Sequence, residues 1–431
     1  MDHLRRHVIH VLTQFDKTGS QLKQIRNNYC NKHNITSSDR QRLTALSNDI
    51  IRWRGRIDYW LNSILNQPQK KLQPELKNIF RAGIYENVID DRTPSYAAVS
   101  VYVEIAKSML GAVPGKLTNA ILRKATAIDP NNFPGDSSLH SWYSLPQWLW
   151  NKWNKQFGKE NTVTLAEHFN AAPKFDIRIN NSVLARDGLL AYCATHDVGI
   201  EDWRCSDLFY RVKHNFAGLR SFINEGKIKV QDRAAGKVVE LLDPQAGETI
   251  LDVCAAPGTK TAYIAELLDG KGQLFISDSN KERMQLYESV FNNVSVEVKD
   301  ATKDEYPQAD AILIDAPCSG TGVIGKKPDI RWRRKPNQIA NFVKLQKSIL
   351  NHIGQFVKPG GRIIYSTCSL EPEENWGVVD AFLKLNANYF IDMETKDMPI
   401  SWRDKRGALA TFPPESKTDG MFAVCLTHGP E

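Results

Sequence analysis

The sequence predicts a doubly wound α/β core, with a mostly parallel sheet, behind a small α/β connector and an all-helical N-terminal domain. Three observations carry that reading. Short apolar runs rich in β-formers alternate with helical stretches over the last two hundred residues. The run Thr249 to Thr261, TILDVCAAPGTKT, passes from a strand through a small-residue turn into a helix start. Residues 1 to 128 instead repeat their apolar side chains at helical spacing.

In chain order, Val8, Val11, Leu12 and Phe15, then Ile57, Trp60, Leu61, Ile64 and Leu65, define helical faces. Pro68, Pro74, Pro94 and Pro114 fall between the helical patterns. His3, His7 and His10 share a helical face, but without nearby acidic or cysteine ligands a metal site is not expected. In IRWRGRIDYW, Arg52, Arg54 and Arg56 could meet phosphates and Trp53 a base, or Trp53 could be core and the arginines solvated. The turn-forming stretch 129 to 140, DPNNFPGDSSLH, predicts a boundary after a domain of 1–130. A connector is then expected over 141–235. It begins with a cluster of Trp142, Trp148, Trp150 and Trp153 that suits packing, and it holds an alternating strand, FDIRI, at 175 to 179.

The catalytic core is expected over 236–431, with strands at 249–254, 273–277, 294–298, 309–315 and 361–367. A final apolar run, Met421 to Leu426, reads as an edge strand. Ala255, Ala256, Pro257 and Gly258 form a turn that a ligand can approach closely, and the following helix points its N-terminus there. The turn has neither the three glycines of a dinucleotide fingerprint nor the spacing of a phosphate loop. A nucleoside without a pyrophosphate therefore fits better, and S-adenosylmethionine answers that description. Asp278, twenty residues beyond Gly258, stands where such folds place an acid for a ribose diol. Asp300 follows the third strand in the same way.

Charge and cysteine bound the function class. Residues 1 to 125 hold 20 Lys and Arg against 10 Asp and Glu, while the remainder of the +7 chain is net −3. Such asymmetry suggests a polyanion partner for the N-terminal part. Seven cysteines without a CxxC pair argue against zinc and against a disulfide framework. The start lacks a signal-peptide core and no apolar run approaches a membrane span, so the cytoplasm is the expected compartment and no membrane partner is expected. The oligomeric state is not legible; a monomer is favoured.

Two cysteines leave strands in polar turns. The fourth strand delivers Asp315 into DAPCSGTG, which contains Cys318, and the fifth delivers Cys368 into TCS. A thiol beside a methyl donor suits methylation of a pyrimidine carbon. C5 of cytosine is a poor nucleophile until a thiolate adds to C6 and turns the ring into an enamine. An acid near N3 favours that addition, and Asp315 is placed to act so. Between the two motifs, KKPDIRWRRK, residues 326 to 335, has six basic residues and one acid. Lys326, Lys327, Arg331, Arg333 and Arg334 are therefore candidate contacts to an RNA backbone.

CAAPGTK, DAPCSGTG and YSTCS together resemble the RNA (cytosine-C5) methyltransferases of the Sun/Fmu type. GVIGKKPDIRW, EPEEN and TDGMFAVCL extend the likeness, and residues 1 to 130 resemble the NusB-like RNA-binding domain of the RsmB branch, through IRWRGRIDYWL, RTPSYAAVSVYVEIAK and GKLTNAILRK. The resemblance implies S-adenosylmethionine as cofactor, with Cys254, Ala255, Ala256, Pro257, Gly258, Thr259, Lys260, Asp278, Asp300 and Asp315 as its binding residues and Arg283 in the same expected set; it also implies 16S ribosomal RNA as substrate, Cys368 as nucleophile and Cys318 as the group that assists product release. Departures are Thr259 in place of a second glycine, Ser279 and Asn280 where a second acid is frequent, QDRAAG in place of a QDxSS-like run, and Ser100 and Val101 in place of a polar pair. Three other readings stand beside this one: a related enzyme acting on tRNA or 23S ribosomal RNA, a noncatalytic RNA-binding assembly factor, and a DNA cytosine methyltransferase using Cys318.

Overall fold

A computed structural model describes all residues except 1, 66–70, 91–93, 134, 136–137, 204–205, 285–293, 393–397 and 431. Pro68, the start of the RTPSYAAV motif and Cys205 lie outside the described residues. The chain divides into two compact units, one of residues 1–172 with 324–335, the other of 173–323 with 336–431. The division after residue 172 falls inside the stretch 141–235.

The first unit is helical. Asp2–Lys17, Leu22–Lys32, Ser37–Arg52, Arg54–Ile64, Pro74–Ile84, Ser95–Leu110 and Ala112–Ala125 are followed by the long helix Gln147–Asn170. Val8, Val11, Leu12, Phe15, Ile57, Trp60 and Leu61 are buried, as their spacing predicts. Thr36 caps Ser37–Arg52 by accepting the Asp39 N–H at 3.2 Å, the usual repair for an orphan helix donor. Pro74 opens its helix at the first position, where its missing N–H costs nothing. Trp142, Trp150 and Trp153 are buried and pack, and Gly158 (φ 81°) breaks the long helix.

The second unit carries two sheets. β1 (Phe175–Ile179), β2 (Gly199–Trp203), β3 (Ser206–His214) and β4 (Ile228–Val230) form an antiparallel sheet in the order β2-β3-β1-β4. β1 is not half-buried: Asp176 and Arg178 are as inaccessible as Ile177 and Ile179. Asp176 accepts from Arg211 Nε at 2.8 Å, and Arg178 pairs with Glu266 and Gln231, so the charges satisfy one another inside.

The larger sheet holds β5 (Thr249–Asp252), β6 (Gln273–Asp278), β7 (Ser295–Val298), β8 (Ala309–Asp315), β9 (Val357–Thr367), β10 (Tyr389–Ile391), β11 (Leu409–Ala410) and β12 (Phe422–His428). Its order is β10-β12-β9-β8-β5-β6-β7, with β11 paired to β12. From β7 to β9 the pairing is parallel, as the alternation predicts. The closing run differs from its expectation: β12 lies between β9 and β10, antiparallel to both. Its burial on both sides explains the unbroken apolar run FAVCL. The strand order reverses between β5 and β8, and the carboxyl ends at that switch form the crevice in which open α/β sheets bind ligands.

Candidate functional site

The carboxyl ends of β5, β6, β7, β8 and β9 carry the candidate residues. After β5 the turn runs through Cys254 to Gly258, with a cis Ala256–Pro257 peptide and Gly258 at φ 93°, a conformation that favours glycine. The helix Thr259–Leu268 follows directly. The turn is tied to β6: Ala255 N–H donates to Ser277 O at 3.0 Å and Ala256 N–H to Asp278 Oδ2 at 3.2 Å. Asn280 N–H donates to Asp278 Oδ1 at 2.9 Å, so this half-buried carboxylate is oriented with lone pairs to spare. Asp300 holds Thr302 through both Oγ1 and N–H and stays partly open. Arg283 is exposed on the short helix Lys281–Met284 beyond Asp278.

The thiols come together. Cys318 Sγ lies 3.3 Å from Cys368 Sγ, and both residues are only half-buried. Their hydrogen bond, and then burial, push the Cys318 thiol well up. That keeps Cys318 protonated and leaves its S–H able to donate to a Cys368 thiolate. Burial, and then the neighbouring Asp278 carboxylate, push the Cys254 thiol up as well. Among the described residues no cysteine is in a disulfide.

Lys260 belongs with this pair. Its Nζ donates to Asp315 Oδ2 at 2.6 Å, and Ser366 Oγ donates to Asp315 Oδ1 at 2.9 Å. Burial would lower the ammonium, but Asp315 outweighs it and the Cys368 thiolate adds attraction, so Lys260 stays charged. Turn, helix, β8 and β9 thus meet at one charged cluster. Asp252, just behind, is pushed up to about 7 by burial, against the 2.6 Å bond it accepts from Thr261 Oγ1.

A buried polar network fixes the two cysteine loops, and the sequence reading gave it no role. Glu374, in EPEEN, accepts Ser319 N–H at 2.8 Å, Gln346 Nε2 at 3.0 Å and Ser369 Oγ at 2.6 Å. Thr367 Oγ1 donates to Asn375 Oδ1 at 2.6 Å, and Gly322 N–H to Cys368 O at 3.0 Å. A Cβ on Gly322 would sit 2.0 Å from Gly420 O, so only glycine lets the closing segment seal this loop. The one available signal was the crowd of small polar residues in two adjoining motifs.

The basic candidates fare differently, all within the first unit. Arg331 is fully buried: its Nη1 donates to Arg52 O, Ser144 O and Asn170 Oδ1 at 3.1, 3.0 and 2.7 Å, and its Nη2 to Phe169 O at 3.3 Å. Arg52 is buried too, paired with Asp49 and bonded to Gly325 O. Neither can reach a phosphate, which corrects the expectation for both. Arg54 is taken up by Asp16 and Asp58, and Arg333 lies 3.5 Å over the Phe15 ring and donates to Phe15 O. Lys327 is exposed, while Lys326 and Arg334 are half-buried. Among the described residues Arg56 makes one hydrogen bond, from Nε to Trp142 O at 2.7 Å. His7 Nδ1 is 2.8 Å from Tyr29 Oη, and among the described residues no group of three ligands could hold a metal.

Residues 239–427 match the family model described as 16S rRNA methyltransferase RsmB/F, and residues 2–127 match the NusB family. A Bacillus subtilis (strain 168) relative named probable ribosomal RNA small subunit methyltransferase B is 32% identical, over 91% of this chain and 91% of its own. The chain belongs to the RsmB/F family. Another RsmB-type relative, ribosomal RNA small subunit methyltransferase B of Proteus mirabilis (strain HI4320), is 30% identical over 85% of this chain and 88% of its own. The solved structure of PH0851 covers 99% of this chain and 98% of its own, at 26% identity and a TM-score of 0.81. NSun6 from Pyrococcus horikoshii shares the fold over 66% of this chain and 99% of its own, at 19% identity and a TM-score of 0.60. RsmB/F membership, the helical NusB domain and the parallel sheet agree with the fold class expected from the sequence.

Proposed function

We propose that this chain methylates C5 of a cytosine in 16S ribosomal RNA, using S-adenosylmethionine. The observation that carries the reading is the 3.3 Å approach of Cys318 and Cys368 at the neighbouring ends of β8 and β9, beside the sheet's switch point. The residues present fit the cofactor. The backbone of 254–258 leaves room for close approach, Asp278 keeps acceptor capacity and would hold a ribose diol, and Asp300 and Asp315 would add negative charge to a site for a cationic cofactor. When bound, the cofactor supplies an electrophilic methyl group.

Cys368 Sγ, as thiolate, adds to C6 of the cytosine, and the C5=C6 electron pair makes C5 nucleophilic. Lys260 and the Cys318 S–H stabilise the thiolate before attack. Asp315, oriented by Lys260 and Ser366, faces N3 and supports the charge change there. After C5 gains its methyl group, the C5 proton passes to solvent, the C5–H electron pair re-forms the C5=C6 bond and the Cys368 thiolate leaves, its release assisted by the neighbouring Cys318 S–H. The target must be unstacked for a thiol to reach C6, so a single-stranded or locally opened RNA is the substrate.

The decisive experiment incubates Cys368→Ala and Cys318→Ala with small-subunit ribosomal RNA and labelled cofactor. Loss of transfer in the first and a denaturation-resistant protein–RNA adduct in the second are expected. An adduct that needs Cys318 and survives loss of Cys368 reverses the two roles, and no transfer by the native protein ends the proposal.

A further inference from the structure

The first unit holds a cavity of about 250 Å³ lined by Trp53, Arg56, Trp142, Tyr143, Glu167 and Asn170. Its chemistry is unusual for a packing defect, because two opposite charges line it, near enough to attract but without an ion pair between them among the described residues. Arg56 makes no ion pair among the described residues, and its single hydrogen bond uses Nε, leaving both terminal nitrogens for a ligand. Its guanidinium carbon lies 4.6 Å from the Trp53 ring centre and 4.1 Å from that of Trp142. The plane is therefore held in place by two indoles, and it loses little freedom on binding. Glu167 is exposed at the mouth, and its carboxylate has no hydrogen-bond or ion-pair partner among the described residues. Asn170 is committed at both ends, to Tyr143 O and to Arg331. The donors and acceptors offered to a ligand thus come chiefly from Arg56 and Glu167.

A volume of about 250 Å³ is below the roughly 300 Å³ at which drug-sized pockets begin, and it suits one planar ring system. An unpaired guanidinium asks for two acceptors side by side, and a carboxylate for two donors side by side. Guanine presents both sets, O6 with N7 on one edge and N1–H with the N2 amino group on the other. Cytosine, uracil and adenine cannot satisfy both charged groups twice over. The unit around the cavity is basic, with 20 Lys and Arg against 10 Asp and Glu in residues 1 to 125, so a polyanion carrying the base is drawn to it. The half-buried Trp53 ring offers an aromatic wall of the kind on which single-stranded RNA bases stack.

We propose that this cavity captures an unstacked guanosine of the RNA substrate, read by Glu167 and Arg56. It rests on RNA being the substrate and adds a second, noncatalytic point of sequence recognition. The test uses the full chain and fluorescein-labelled RNA pentamers, UUXUU with X as G, A, C or U, followed by anisotropy. The G pentamer should bind at least tenfold more tightly than the A pentamer. Glu167→Gln, an exposed and nearly isosteric change, should bring that ratio to within twofold while leaving the A pentamer's affinity in place. Arg56→Lys, which keeps the charge and loses the fork, should do the same.

Equal binding of all four pentamers, or a G preference that survives Glu167→Gln, overturns the proposal. So does guanosine monophosphate binding more tightly than the pentamer, which would mark a site for free nucleotide. Methyl transfer by the native protein is measured separately. Transfer without a G preference sinks the cavity alone, and a G preference without transfer sinks the catalytic reading alone.

Discussion

The amino group of Lys260 bonds Asp315 and lies in the field of Cys368, and the proposed mechanism gives its charge to the thiol as well as to the turn that carries it. Lys260→Met should lower the rate of methyl transfer by about 10²-fold or more, with the KM for cofactor changing far less. Steady-state kinetics in cofactor separate the two; a large rise in KM at constant kcat would return Lys260 to the cofactor role expected from its motif. Asp252 makes a different prediction. Burial raises it to about 7, so the folded chain holds a proton that the unfolded chain releases above about pH 4. That contribution to stability is complete below the unfolded value and is lost as pH rises through 7. Asp252→Asn, neutral throughout, lacks this slope. Between pH 4 and 7 the native protein should lose stability relative to the variant, by up to a few kcal/mol. Denaturant midpoints at pH 5, 6, 7 and 8 check it, and a constant difference contradicts it.

At the scale of elements, the core strands were legible because each apolar run ends in a polar turn bearing an Asp or a Cys. Asp278, Asp315, Cys318 and Cys368 all stand within a few residues of a strand's carboxyl end. Pairing partners were not legible. The run FAVCL reads alike at an edge or between two strands, and only the sheet places β12 inside. Basic runs misled for a related reason. A guanidinium can be solvated, bound to phosphate or folded onto backbone carbonyls, and Arg331 does the last. Burial without a carboxylate partner lowers it to about 9, and it still donates four bonds within the first unit. Arg331→Met leaves those acceptors unpaired and should cost about 2–4 kcal/mol by chemical denaturation. The slope of log affinity for RNA against log salt should not change, whereas loss of a phosphate contact would reduce it.

Over the whole molecule, charge is divided as the helical and α/β regions are, with +10 in residues 1 to 125 and −3 in the rest. Affinity for RNA should then fall steeply with salt, with a log–log slope of about −0.7 for each phosphate neutralised on a single strand. Filter binding between 50 and 200 mM salt, as an order-of-magnitude range for such titrations, checks it; a flat response would mean that the basic surface is not used.

The helical unit borrows residues 324–335 from a place far along the chain. Without them Phe15 loses the Arg333 guanidinium that covers it, and the carbonyls of Arg52 and Ser144 lose their donor. A gene fragment ending at residue 172 would therefore encode an incomplete protein, short of its own plug. Shuffling this domain onto another enzyme by a single cut is closed to evolution and to the engineer alike, unless the dodecapeptide travels too.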